Sequence, residues 1–525
     1  MLLSKFLSTS GGGEAVTLQS DPQPPEVLRN QPNHKYISIE YLNHVLRRHL
    51  LWYVLLSVIL GLVYWFTLLP GIGVMGDVAK FQFLGKVLGT PHLSGYPTYI
   101  ILNHFFVSLF PKGTLAFRSN LLSAIISIVS SWFLFETVVL LLGNRFIAFI
   151  TSLTFGLIHS MWLFSLMAEV YSLNILFTAS VIFFLLQWKK SRKDLHFYLA
   201  CGIYAFSFGN HLITIGLIFA FAFMVWATKR STFWDFKKIL VVLLLILLAF
   251  SQYGYIAWRS IDPNPAFIEI DWFTFIHFLK SMGLSSRTFN FNEIFSERLP
   301  LLFLYFWQEF YIFLPVSIIG AFKIKDRIEK TFLAICLIGS SLFSLTLGVV
   351  REHSAFFLPV FLVMVIYLGV GLDYLSKRFL KQRKLSALLI IVPVFFFLTN
   401  YSNVDLSEKK IHSEIVEKVL NTIRHDGVVV VDEYDYACYF WYYLIGENYQ
   451  KNGLYSFPIS YAGIDGIRAY LQGEKPFYFM PQRKFVPLGL PVYVLWTLKD
   501  KISNSGMILE STGIKYIYRV RLPEE

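Results

Sequence analysis

The chain has 525 residues, of which 55% are hydrophobic and only 15% charged, against roughly one quarter charged in a soluble domain. That composition excludes an ordinary soluble protein and leaves room for about ten membrane spans plus one soluble domain. The formal charge of +12 is read as the Lys/Arg excess of cytoplasmic loops rather than as a nucleic-acid footprint.

Residues 1–45, with Gly11-Gly12-Gly13 and a Pro-rich stretch around 22–32, read as a disordered cytoplasmic tail. The first apolar run begins too late and is too long for a cleaved signal peptide. An α-helical polytopic membrane body follows over 46–401. Its apolar runs fall near 50–69, 118–142, 146–165, 170–188, 195–211, 212–228, 238–258, 299–322, 331–349, 355–376 and 385–400, which makes eleven expected transmembrane helices. The run at 98–110 is too short to span and is bracketed by Pro97 and Pro111, so it is expected to lie in the interface. With the N-terminus inside beside Arg47-Arg48, every strongly basic loop falls on one side: Lys189 to Lys193, Lys229 to Lys238, Lys323 to Lys330 and Lys377 to Lys384. This is the positive-inside pattern. The outer face then receives a long loop at 70–117 and the C-terminal segment 402–525. In that segment helical spacing at 415–423 and strands at 427–432, 492–496 and 516–520 predict a small extracytoplasmic α/β domain. Cys201, Cys336 and Cys438 lie far apart and imply neither a disulfide framework nor a Cys-based zinc site.

Most of the unusual polar residues near the spans fall on the outer side. Asp77, just past the first span, is a candidate general base for an acceptor hydroxyl; the alternative is a helix N-cap ahead of Val78–Val87. Glu169 can orient the acceptor, act as a second carboxylate, or cap the span after it. His92 and Tyr96 sit in a tight Gly/Pro turn and can contact a donor's phosphate or sugar, or serve the turn alone. Arg118, Arg259 and Arg351 stand at outer span ends against the positive-inside trend. They suit either a lipid phosphate, which a guanidinium binds bidentately, or snorkelling to headgroups. His211 and His353 are either structural or ligating, and no metal-ligand spacing is present. No Walker A, dinucleotide fingerprint or nucleophile elbow occurs, which argues against a nucleotide as direct substrate. Few charges fall in mid-membrane, which argues against an ion-coupled transporter.

In its motifs the chain resembles the GT-C superfamily of membrane glycosyltransferases, and within it the protein O-mannosyltransferase-like group. The first-loop start is Gly76-Asp77-Val78-Ala79-Lys80-Phe81, and the turn that follows is His92-Leu93-Ser94-Gly95-Tyr96-Pro97-Thr98-Tyr99. Arg118-Ser119-Asn120 through Ala124 matches a third motif, Ala168-Glu169-Val170-Tyr171-Ser172-Leu173-Asn174 an unbroken fourth, and 202–211 and Phe357-Leu358-Pro359 looser ones. Two departures stand out. Leu93-Ser94 replaces Pro-Pro, and Lys80 replaces an acidic residue, which puts a two-carboxylate first loop in doubt.

The resemblance implies an inverting transferase acting at the outer face of a plasma (inner) membrane of bacterial type. Its donor is a polyprenyl-phosphate-linked sugar, mannose by family analogy; the resemblance does not fix the acceptor, for which Ser/Thr of an exported protein is the family-based expectation. It needs no obligatory soluble cofactor, a divalent metal remaining open. Asp77 and Glu169 are its implied catalytic pair, with His92, Tyr96, Arg118, Tyr171, Asn174, His211, Arg259, Arg351 and His353 on the substrates. The rival readings are transfer to a lipid or cell-surface polysaccharide, and a flippase for lipid-linked sugar.

Overall fold

The computed structural model describes residues 39–73, 75–281, 291–347, 353–379, 386–423, 426–447 and 453–523. Most of the expected N-terminal tail lies outside the described residues, and so do Arg351 and Glu352. Residues Trp52–Glu525 form one compact unit.

Among the described residues nine helices are long and apolar enough to cross a membrane, from His49–Thr67 to Ala387–Val404. A bent pair, Arg145–Leu157 and His159–Ser165, makes a tenth, with 68° between its two pieces. The eleventh expected run, 195–211, forms a helix of only 14 residues, Asp194–Ser207. That is about 21 Å of helix, short of a hydrocarbon core of about 30 Å. The bend in the pair has a visible cause. Ile158 is extended between the two pieces, and the carboxylate of Glu309, from another helix, accepts the Ser160 backbone N–H at 3.1 Å. An end that would otherwise need a helical partner is thus satisfied from outside.

The helix His353–Phe379 is buried along its whole apolar window, whereas Phe236–Ser260 and Phe291–Lys323 expose most of theirs. Exposed Leu247, Leu248, Phe303 and Phe322 on those outer helices would be costly in water and cost nothing against lipid. The run at 98–110 becomes the helix Pro97–Leu109, with proline at its first position. At about 20 Å it is too short to span.

The C-terminal segment carries a five-stranded sheet in the order 454–458, 427–431, 492–495, 517–521, 508–511. The first three strands are parallel and the last two antiparallel to their neighbours. All five residues of Gly427–Val431 and of Leu454–Pro458 are buried, as continuous apolar parallel strands require. The segment has its own sheet but is not spatially apart. Lys86 Nζ donates to the Gly446 carbonyl at 2.8 Å, Tyr442 accepts the Ala116 N–H at 3.0 Å, and the Phe267 and Trp441 rings meet edge to face.

Candidate active site

The site begins with the helix Gly76–Val87. Its N-cap is Met75, with no side-chain cap bond, and Asp77 lies inside the first turn. Asp77 is therefore not the cap that the sequence allowed. A carboxylate in a first turn is favoured by the helix dipole, and this one keeps a third of its side chain exposed. Lys80 follows on the same face, three residues on. Its side chain is entirely buried, with Nζ 2.7 Å from Asp77 Oδ1 and 3.0 Å from Glu269 Oε2. The same nitrogen is 2.9 Å from His92 Nδ1 and 3.0 Å from the Tyr434 hydroxyl. A buried ammonium is tolerated only when paired and hydrogen-bonded in this way.

Each partner arrives by a different route. Glu269 is brought in by backbone pairing: Thr90 N donates to Phe267 O at 3.1 Å, and Glu269 N to Thr90 O at 2.8 Å. Gly89 permits that approach, since a Cβ there would stand 2.5 Å from Leu84 Cδ2 and 3.0 Å from the Phe267 carbonyl. His92 is held by the turn that follows, where Gly95 takes φ +82. The Tyr96 hydroxyl lies 3.0 Å from His92 Nε2. Lys80 has only hydrogens to offer, so His92 Nδ1 accepts and Nε2 carries the proton, 3.5 Å from Asp77 Oδ2. Tyr434 and Tyr461 come from the segments just past the parallel strands Gly427–Val431 and Leu454–Pro458. Carboxyl ends of parallel strands are where open α/β sheets bind ligands. Tyr434 also donates to Glu269 Oε1.

Asp77, Lys80, His92, Glu269, Tyr434 and Tyr461 line a cavity of ≈ 600 Å³ together with apolar neighbours such as Ile270 and Met480. Its electrostatics follow from the contacts. Burial alone would raise the Asp77 carboxyl, but Lys80 and then His92 hold it below its ordinary value. Burial alone would lower Lys80, but Asp77 and Glu269 raise it well above its ordinary value. Burial, and next the Lys80 charge, depress His92. At neutral pH the site holds a carboxylate, an ammonium and a neutral imidazole.

The remaining motif residues build the frame. Asn120 Oδ1 accepts from Gln82 Nε2 at 3.0 Å and from Ala168 N at 2.8 Å, while its Nδ2 donates to Leu69 O at 2.8 Å. Gln82 in turn accepts from Gly73 N. One buried amide thus ties the end of the first span, the loop helix and the Ala168–Glu169 segment together. Glu169 is buried at the N-cap position of Val170–Ser191, without a side-chain cap bond. It does not line the cavity.

Five of the residues expected on the substrates lie along one aromatic row. His92 meets Tyr96 (5.3 Å between ring centres), Tyr96 stacks on His211 (5.9 Å), and His211 meets Tyr171 (5.8 Å). Phe356 bridges His211 (6.0 Å) to His353 (5.9 Å). His211 also accepts the Ile213 N–H, and burial pushes its imidazole down to about 3. Asn174 is buried on the helix of Tyr171.

The arginines do not converge with this group. Arg118 donates to the Val107 and Phe110 carbonyls at the end of Pro97–Leu109. Arg259 pairs with Asp262 at 2.9 Å and lies over the Trp258 ring. Neither lines the cavity, and Arg351 lies outside the described residues. A divalent metal was left open by the sequence. Asp77, Glu269 and His92 are ligand types, but the centre they surround is taken by Lys80 Nζ, and among the described residues no group of three His, Cys, Asp or Glu is arranged to hold an ion. The residues as placed do not fit a metal.

Glu269 and Tyr461 are cavity residues that sequence reasoning missed, while Tyr434 belongs to the acidic-aromatic stretch Asp432–Tyr436, which by sequence could bind sugar or form a solvated loop edge. One signal for Glu269 existed: a lysine where an acidic residue was expected needs a carboxylate partner, and Phe267-Ile268-Glu269-Ile270 sets one acid among apolar neighbours.

Residues 77–234 match the family model described as the N-terminal domain of protein O-mannosyl-transferase TMEM260. Protein O-mannosyl-transferase tmem260 of Dictyostelium discoideum is 23% identical over 216 residues, 38% of this chain and 26% of that protein. The Mus musculus protein of the same name is 28% identical over 188 residues, 35% of this chain and 26% of that protein. The match thus spans about a quarter of the length of these curated relatives. ArnT from Cupriavidus metallidurans bound to undecaprenyl phosphate superposes with a TM-score of 0.59 at 13% identity, covering 89% of this chain and 97% of ArnT. Its apo form gives 0.58 at 11% identity over the same shares. The chain is an integral membrane protein that shares the fold of ArnT, and the family model of the protein O-mannosyl-transferase N-terminal domain matches it from Asp77 onward.

Proposed function

We propose that the chain is a GT-C glycosyltransferase that moves a sugar, mannose by analogy with its relatives, from a polyprenyl-phosphate donor to a hydroxyl of an exported protein at the outer membrane face. The observation that carries this reading is Asp77: a partly exposed carboxylate, anionic at neutral pH, opening on a cavity of ≈ 600 Å³ at the start of the transferase-like segment. ArnT, which shares the fold, was solved with undecaprenyl phosphate, and that supports a lipid-phosphate donor. The one-sided distribution of basic loops supports the orientation.

In this reading the acceptor hydroxyl hydrogen-bonds to Asp77 Oδ2, the oxygen facing His92 Nε2–H. Its oxygen attacks the anomeric carbon from the face opposite the phosphate. The carbon–oxygen bond to phosphate breaks, and the lipid phosphate leaves with the electron pair. As the new bond forms the hydroxyl becomes acidic and its proton passes to Asp77, so even a weakly basic carboxylate suffices. His92 Nε2 lies 3.5 Å from that oxygen, and Lys80 fixes the other. The configuration inverts. Glu169 supports this group from the frame rather than from the cavity.

The test is transfer from radiolabelled polyprenyl-phosphate-mannose to a membrane-plus-periplasm extract, by purified protein and by a folded Asp77→Asn variant. Labelled protein made by wild type and lost in the variant supports the reading. Label in the lipid or polysaccharide fraction moves the acceptor class. Equal product from both proteins removes Asp77 from the chemistry, and no product from either returns the flippase reading to the front.

A further inference from the structure

Lys80 is the unexpected member of the site. Its ammonium has four partners at 2.7–3.0 Å: two carboxylates, an imidazole nitrogen and a phenol. Two carboxylates and a histidine around one point make a donor set that suits a divalent cation. Here that point is occupied by a charge the chain supplies itself. A metal would need the same donors at about 2.0–2.2 Å, so they would have to close in and the lysine would have to leave. Nor is the lysine adjustable: its side chain is wholly buried, and Tyr434 bridges it to Glu269 from the far side.

We propose that Lys80 Nζ is a resident cation standing in the place of a divalent metal between Asp77 and Glu269, so that transfer by this chain proceeds without an added metal ion. This rests on the transferase reading for its consequence, but not for its geometry. Lys80 is a positioning residue. It neutralises Glu269, which would otherwise repel Asp77 and a lipid phosphate alike, and it holds Asp77 Oδ1 so that Oδ2 faces the cavity.

Metal uptake tests the geometry independently of turnover. Untagged full-length protein in detergent, stripped with EDTA, is titrated with Zn²⁺ and with Mn²⁺ and its bound metal measured. Wild type is expected to take up none stoichiometrically. Lys80→Glu, and in case that variant does not fold Lys80→Ala, which empties the centre, is expected to take up one ion per chain, lost again when Glu269→Gln is added. One ion bound by wild type and lost in Glu269→Gln, or no uptake by a folded Lys80 variant, would overturn the proposal. If transfer is detected, it should be unchanged in EDTA; a loss restored by Mn²⁺ or Zn²⁺ would equally overturn it. An absence of transfer under every condition would count against the transferase reading, while metal uptake would still decide the role of Lys80.

Discussion

The two walls of the cavity meet at one ammonium group but are held in place by different means. The wall from Asp77 to Leu93 is built from one stretch of chain, and Gln82 and Asn120 brace it from behind with buried amide bonds. The wall of Glu269, Tyr434 and Tyr461 is assembled from three distant segments, and its Tyr434 depends on the tail docking against the loop helix. The first wall falls within residues 77–234, which the family model matches, and the second falls outside that range. The first wall therefore rests on local structure, while the second is supplied by tertiary contacts.

Four changes sharpen that contrast. The largest effect is expected on the first wall: Asp77→Asn should lower transfer by about 10²–10⁴-fold with the protein still folded, read as initial rates beside a thermal unfolding curve. Lys80→Met removes the joint between the walls and leaves Glu269 buried beside Asp77 without its cation. Breaking such a pair costs about 3 kcal/mol or more, seen as a lowered Tm. Asn120→Ala strips the brace and orphans buried groups in the frame, at about 1–3 kcal/mol, and should lower kcat without changing which acceptors are used. Tyr434→Phe, on the second wall, loses one hydroxyl worth about 1 kcal/mol. It should appear as a change in acceptor KM, and an effect on kcat alone would erase the distinction between the walls.

pH separates the same two contributions. Lys80 and His92 hold the Asp77 carboxyl below its ordinary value, so its pairing energy is fully present above the ordinary carboxylate range and is lost as pH falls through the depressed value. Transfer should stay flat from neutral pH through the ordinary carboxylate range and fall only below it. In Lys80→Met the acid limb should move to higher pH, because the cation favouring the ionised form is gone. A limb that does not move would mean that Lys80 does not set the charge of Asp77.

Periodicity and apolar run length determined the membrane body by themselves, because a bilayer demands about 20 consecutive apolar residues and few sequences supply them by accident. Ten of the eleven expected runs have span-length helices or the bent pair, and 98–110 is the short helix its two prolines imply. Strands 427–431, 492–495 and 517–521 were legible in the same way, whereas 454–458 and 508–511 were not, because partner strands in that sheet decide them. Motif residues fared similarly. Asp77, His92 and Tyr96 lie close together in the structure, since a helix turn and a Gly/Pro turn bring them together locally. Arg118 and Arg259 do not converge, because nearby carbonyls and Asp262 take their charge. What the sequence alone determined was thus a polytopic membrane protein with one carboxylate, Asp77, in its first outer loop. Only the tertiary structure decided that the second carboxylate is Glu269, 189 residues from the lysine it pairs with, because no local periodicity encodes a contact made by folding a loop and a tail domain onto one buried charge.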